Sequence, residues 1–135
     1  MSKQSGLGMT LAVDSSAGAV KTISNDVTSL SWETPREPQE ITGINSSAME
    51  RLLLLADFTV EITGVVNTTA DASHDVFKTV PSTSVARTTT ITVPSPVVLA
   101  GEILYSNYAL ERSDSGELTF TAEGALAGGV VPTWA

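Results

Sequence analysis

Cysteine is absent from these 135 residues, and histidine occurs once. Without cysteine the chain has no disulfide, no thiolate nucleophile and no thiolate zinc site. A single imidazole, His74, removes the common multi-histidine metal sites and leaves one imidazole base. Basic residues are few: 7 against 15 acidic, a formal net charge of −8. That balance argues against a surface that grips nucleic acid or anionic lipid. The basic residues are scattered and the two tryptophans lie far apart, so no basic–aromatic groove is written in the chain. The longest unbroken apolar run, Leu52 to Ala56, falls far short of the roughly 20 residues of a membrane span. Met1 to Leu7 lacks the apolar stretch of a signal peptide. The expectation is a soluble chain made in a cytoplasm, with no membrane insertion.

Catalytic patterns are equally scarce. His74 and Asp75 are neighbours, but adjacent residues on an extended chain point apart, so they are not preset as a relay. No Gly-x-Ser-x-Gly elbow accompanies the many serines. Gly6-Leu7-Gly8 precedes a strand instead of following one, so it lacks the context of a dinucleotide fingerprint, and there is no Walker sequence. Asp71, His74 and Asp75 read as solvated loop charges before they read as metal ligands. Nothing places two carboxylates at glycosidase separation. The chain reads as a scaffold, with no catalytic residue, cofactor or metal assigned.

What the chain has in quantity is hydroxyl side chains, 16 serines and 18 threonines. Threonine is β-branched and suits a half-buried pleated surface. With 41% hydrophobic residues arranged in short alternating runs, the composition predicts an ordered, mainly β domain. Leu7, Met9, Leu11 and Val13 share one face of a first strand. Asp14 to Gly18 is turn chemistry, and Ala19 to Ser24 is its hairpin partner. Further strands are predicted over Val27–Glu33, Phe58–Asn67, Val85–Val93, Glu102–Arg112 and Glu117–Glu123, with Pro94-Ser95-Pro96 as a break. Gly64 interrupts a buried face, which marks a bulge or a close backbone approach. Ile103 and Tyr105 fall on one face of their strand, and Leu104, Tyr108 and Leu110 on the other. A strand apolar on both faces is covered on both faces, and in a chain of this size another subunit can supply the second cover. Trp134, next to the C-terminus, is expected to dock.

Two segments are read differently. Residues 33–45, with Pro35, Arg36, Glu37, Pro38, Gln39, Glu40 and Ile41, exclude a buried strand and predict a long loop. Ser47 followed by Glu50 has the capping-box pattern, and the run to Asp57 predicts the chain's one helix. On that helix Leu54 would sit on the polar stripe, a candidate for contact with a neighbour. The net charge divides evenly between the two halves, no repeat of fixed period appears, and a single domain over 1–135 is expected.

Several stretches, in order along nearly the whole chain, carry a resemblance. They are Gly6-Leu7-Gly8-Met9-Thr10-Leu11-Ala12-Val13-Asp14, Ser47 to Phe58, Ser73-His74-Asp75-Val76-Phe77-Lys78-Thr79-Val80-Pro81-Ser82, and Val131-Pro132-Thr133-Trp134. Together they resemble the major tail tube proteins of long, non-contractile-tailed (siphovirus-like) bacteriophages. The resemblance implies two packed antiparallel sheets, sandwich- or half-barrel-like, with one flanking α-helix. It implies six copies closing into a ring around a β-lined channel, and rings stacking into a tube around a tape-measure protein. Genomic DNA would later pass through without specific binding. It also implies a tail terminator and a distal tail protein as partners, a place in the virion, and assembly in the host bacterial cytoplasm. In such proteins a long loop reaches neighbouring subunits, so the 33–45 loop, Leu54, Tyr105, Tyr108 and Trp134 become candidate interface residues. Glu61, Glu117 and Glu123 become candidate lumen residues. The residues alone also admit a phage decoration or head–tail connector sandwich, or a carbohydrate- or receptor-binding β-sandwich module.

Overall fold

A computed structural model describes residues 5–94, 97–128 and 130–135. The expected break at Pro94-Ser95-Pro96 therefore lies partly outside the described residues. In chain order the strands are β1 (Thr10–Asp14), β2 (Val20–Thr22), β3 (Val27–Glu33), β4 (Arg36–Glu40), β5 (Arg51–Ala56) and β6 (Thr59–Val65). They continue with β7 (Arg87–Val93), β8 (Val97–Arg112), β9 (Leu118–Leu126) and β10 (Thr133–Trp134); the helix α1 (Ser73–Phe77) lies between β6 and β7. Among the described residues the protein is mainly β, with two antiparallel sheets and one α-helix. The larger sheet runs β2-β1-β7-β8-β9-β6-β3, with β10 added to β8, and β4–β5 form a separate two-stranded sheet.

The large sheet wraps around one core. Leu11 and Val13 of β1, Ile91 of β7, Val60 and Ile62 of β6, and Phe120 and Ala122 of β9 belong to a single buried cluster. The two halves of the sheet therefore face each other, joined by the 16-residue β8. Its first half pairs with β7 over Val97–Ile103, and its second half pairs with β9 over Ile103–Arg112. Between Tyr105, opposite Gly124, and Asn107, opposite Glu123, the register shifts and Ser106 is left over. One extra residue resets the alternation. Tyr105 and Tyr108 thus both turn to the core, although their odd and even positions predict opposite faces.

The helix is not where the sequence places it. Residues 51–56 form β5, hydrogen-bonded to β4 in a hairpin, so the expected helix over 47–57 and the expected loop over 33–45 are both replaced by one β arm. Leu-rich sequence forms helices readily, but a short apolar run suits either structure, and a paired neighbour decides. Glu50 of the capping signature is engaged otherwise: its Oε1 accepts from Ser46 Oγ at 2.8 Å, and its N–H donates to Thr42 Oγ1 at 2.9 Å, both at the hairpin tip. Pro38 is tolerated because each strand of a two-stranded sheet is an edge.

The helix that does form, α1, spans five residues and buries Ser73, Val76 and Phe77. The Phe77 ring lies 5.2 Å from Tyr105, 5.6 Å from Tyr108 and 5.8 Å from Phe120, centroid to centroid. Asp26 holds its start, accepting from the Ser73 N–H and from Asn67 Nδ2, each at 3.1 Å. Arg87 holds its end. The buried guanidinium donates to the Val76 carbonyl, and to Thr79 Oγ1 at 2.8 Å. Burial lowers its pKa from the ordinary arginine value, and no carboxylate pairs with it among the described residues. Arg87→Ala should therefore cost about 3 kcal/mol through a cavity and stranded acceptors. Chemical denaturation measures this, and an unchanged midpoint would show that Arg87 does not anchor α1.

Candidate assembly surfaces

Four strands, β3, β6, β9 and the second half of β8, form one layer of the wrapped sheet. Residues directly opposite one another share a face, so the register identifies the side turned away from the core. One row runs Ser31, Glu61, Glu123, Asn107. The row beside it runs Glu33, Thr59, Ala125, Leu104, and on the other side comes Ser29, Thr63, Thr121, Ala109. Val65, Thr119 and Glu111 complete the face. These rows hold four glutamates, six hydroxyl side chains and no lysine or arginine. Glu61 and Glu123 lie directly opposite each other, an arrangement that is destabilising for like charges. Of the three glutamates singled out in sequence, Glu61 and Glu123 are brought together here. Glu117 lies in the β8–β9 turn, where Ser113 Oγ donates to its carboxylate at 3.0 Å. Glu33 and Glu111 join the face only through the register, which sequence does not reveal.

This layer has two open edges. β3 pairs with β6 alone, and residues beyond Ile103 in β8 pair with β9 alone. Every pairing is antiparallel, so over four strands β3 and β8 point in opposite directions. Trp32 on β3 meets Trp134 at 6.5 Å between ring centroids. β10 places Trp134 by pairing with Leu99 and Ala100. Trp134 therefore docks on the molecule's own surface, with half of it left exposed.

The β4–β5 arm continues the β3–β6 ladder beyond the sheet. Its base is tied by the Asp57 N–H donating to the Pro35 carbonyl at 3.0 Å. Arg36 stitches its irregular register, donating from Nε to the Leu54 carbonyl at 2.9 Å and from Nη2 to the Leu53 carbonyl at 3.3 Å. All five residues of β4 are exposed, and so are Ile41, Ile44, Met49 and Leu52 to Leu55. A lone two-stranded hairpin is marginal in water, and an apolar surface of this extent marks a contact site. The interface candidates Pro35 to Ile41 and Leu54 thus share one exposed arm. Tyr105 does not join them. It is buried in the core, its hydroxyl 2.7 Å from Thr89 Oγ1, and burial pushes its phenol well above the usual range. Tyr108 is half-buried against Phe77 and Phe120.

The residues with chemical potential are dispersed into separate pairs. His74 Nδ1 lies 3.0 Å from the Tyr108 hydroxyl. Asp71 pairs with Lys21 and Asp75 with Lys78, each at 2.7 Å; Lys78 holds the Asp75 carboxyl below its ordinary value. Among the described residues no group of three or more His, Asp or Glu converges on a metal position, and no helix is long and apolar enough to cross a membrane.

No protein-family model matches this chain, and no curated protein matches its sequence. Solved structures do. A chain from the tail of an empty gene transfer agent particle, obtained by helical refinement with C6 symmetry, superposes with a TM-score of 0.80 at 16% identity. That match covers 98% of this chain and 99% of the other. A chain from the virion of a native gene transfer agent particle gives a TM-score of 0.76 at 16% identity, covering 97% and 99%. This chain has their fold. The coverage is nearly complete on both sides.

Proposed function

We propose that the protein is the structural subunit of a phage-type tail tube. Six copies close into a ring, rings stack, and genomic DNA passes along the bore. The observation that carries this reading is the four-stranded layer: two open edges, and between them a face of carboxylates and hydroxyls without a cation. Under rotation about an axis along the strands, β3 of one copy meets the second half of β8 of the next. Because the layer holds an even number of alternating strands, that junction is antiparallel, like every other in the sheet. Closure removes the open edges and fixes the rotation of a heterologous contact. Four strands from each of six copies, about 4.8 Å apart and tilted by about 40°, make a barrel roughly 45–50 Å across its backbone. A DNA duplex fits within it.

The acidic face is then the bore. DNA carries about one negative charge per 1.7 Å, and a like-charged wall does not hold it in transit. Tape-measure protein fills the bore during assembly; terminator and distal tail protein cap the ends. No catalytic role is proposed. The C6 symmetry of the tail whose chain shares this fold supports six-fold closure.

Electron microscopy with native mass measurement tests the reading. Rings of six and their stacks are expected. Monomer alone, at high concentration and after incubation with tail initiator, would overturn it. Solution fluorescence adds a local check. The chain's only two tryptophans meet beside the β3 edge, so ring formation should shift emission to the blue. Unchanged emission on assembly would place the ring junction away from β3.

A further inference from the structure

The large sheet ends on two free edges of different make. β3 closes the strand order at one end and β2 at the other, and among the described residues β2 pairs with β1 alone. The Ile23 N–H donates to the Leu11 carbonyl at 3.0 Å, and the register sets Val13 opposite Lys21. Bonded and non-bonded pairs alternate in an antiparallel ladder. Lys21 therefore bonds to β1, while the N–H and C=O of Val20 and Thr22 point to the open edge. Free backbone groups on a strand of this kind are a template for another chain.

Within residues 15–25 Lys21 is the one charged side chain. Without it Ala19 to Ser24 would be uncharged, β-prone and free of proline, the composition of a segment that stacks on its own kind. Val13 is fully buried, and opposite residues share a face, so the Lys21 side chain leaves the sheet on the core side. There its ammonium meets the Asp71 carboxylate at 2.7 Å, with 23% of the side chain exposed. Asp71 holds left-handed backbone, φ 65°, uncommon outside glycine. Its N–H donates to Asp75 Oδ2 at 3.2 Å, which ties this turn to α1. β3 has no such charge on its core side, where it carries Leu30 and Trp32 opposite Ile62 and Val60.

We infer that Lys21 closes the β2 edge to a second copy of this chain, and that Asp71 holds the charge in place. The partner kept out is another β2, because twofold pairing of one strand with itself is self-complementary. The register that uses every free group of Val20 and Thr22 sets Lys21 against Lys21 of the second copy. Like charges directly opposite are destabilising. In the tube reading this confines edge pairing to β3 and the second half of β8 and keeps tubes from fusing side by side. The block itself needs only the free subunit.

Lys21→Val removes the charge and suits a strand. The variant should keep the parent's circular dichroism yet associate. Sedimentation should show subunits shifting to dimers and larger species, and electron microscopy should show any tubes clustered side by side. Lys21→Arg keeps the charge and should stay as dispersed as the parent. Lys21→Gln removes the charge but keeps a polar head for Asp71; it should associate too, and it decides the matter if Lys21→Val does not fold. Adding Val20→Pro to Lys21→Val deletes one free edge N–H at the first residue of the strand, where proline is tolerated, and should restore the parent's dispersion. Uncharged variants that fold and stay dispersed would overturn the inference, and so would association that Val20→Pro leaves unchanged. Loss of fold in both uncharged variants would make Lys21 a structural residue and overturn it as well. Parent chains that form no ring or tube would overturn the tube reading alone.

Discussion

Gly64→Ala should strongly destabilise the native fold. Gly64 lies in β6 where the β3 ladder shifts register between Val27 and Ser29. A Cβ at this position would fall 2.1 Å from the Asp26 carbonyl oxygen and 2.9 Å from Phe120 Cε1. The first of these neighbours is backbone and cannot rotate away. Nor can Asp26 be moved cheaply, because its carboxylate holds the start of α1 through Ser73 and Asn67. Relief would have to displace the β3 bulge, the helix and a core phenylalanine together. Overpacking of that kind costs about 3 kcal/mol or more. A domain of this size has roughly 5–15 kcal/mol in total. The melting temperature should fall by about 10 °C or more, and much of the variant should be insoluble. Thermal unfolding followed by circular dichroism decides it; a midpoint within a few degrees of the parent would show that the bulge relaxes freely.

In the proposed tube, reversing the charge of the sheet face should convert a passive bore into one that retains DNA. In Glu61→Lys/Glu123→Lys the cross-strand carboxylate pair becomes a pair of ammonium groups, repeated six times per ring. Each phosphate neutralised contributes a slope of about −0.9 in log affinity against log salt. Assembled double-variant tubes should bind duplex DNA at low salt and release it steeply as salt rises, whereas parent tubes should not bind. Particles carrying the variant should lose infectivity by about 100-fold or more at unchanged tube yield. The single variant Glu61→Lys supplies an internal control. It places opposite charges across the β6–β9 pair, so the isolated chain should be as stable as the parent or slightly more so. Normal infectivity and no DNA retention in the double variant would mean that this face does not line the bore.

Much of the fold is legible in the sequence, for local reasons. Alternation delimits β3 to the residue and locates β1, β6, β7 and β9 closely, because each strand turns one face to a common core. Gly64 announces its close approach because a glycine on a buried face needs a cause. The failures are physical as well. The Leu52–Leu55 run has strong helix formers and a capping pattern, but its fate is set by β4, whose one proline and three charged residues disguise a strand. α1 is too short to show a helical period. The Ser106 bulge separates Tyr105 from Tyr108 in parity while bringing them to one side in space, so Tyr105 reads as a surface residue and lies in the core. On the candidate surfaces, the exposure of residues 35–41 was legible as charged, proline-bearing chain. The β hairpin that carries them was not. Single glutamates were legible too, but the unbroken acidic face exists only once the register of four strands is known.

The parity of the four-stranded layer has a consequence for how such a protein can change. As long as copies join edge to edge around a rotation axis, a fifth strand would set β8 parallel to its new neighbour and break the hydrogen-bonding pattern at every junction of the ring. Strands gained or lost two at a time, as hairpins, keep every junction antiparallel. Wider or narrower bores are therefore reached most simply by whole hairpins or by changing the number of copies, whereas a change in the arm alters its contacts without adding a strand to the layer.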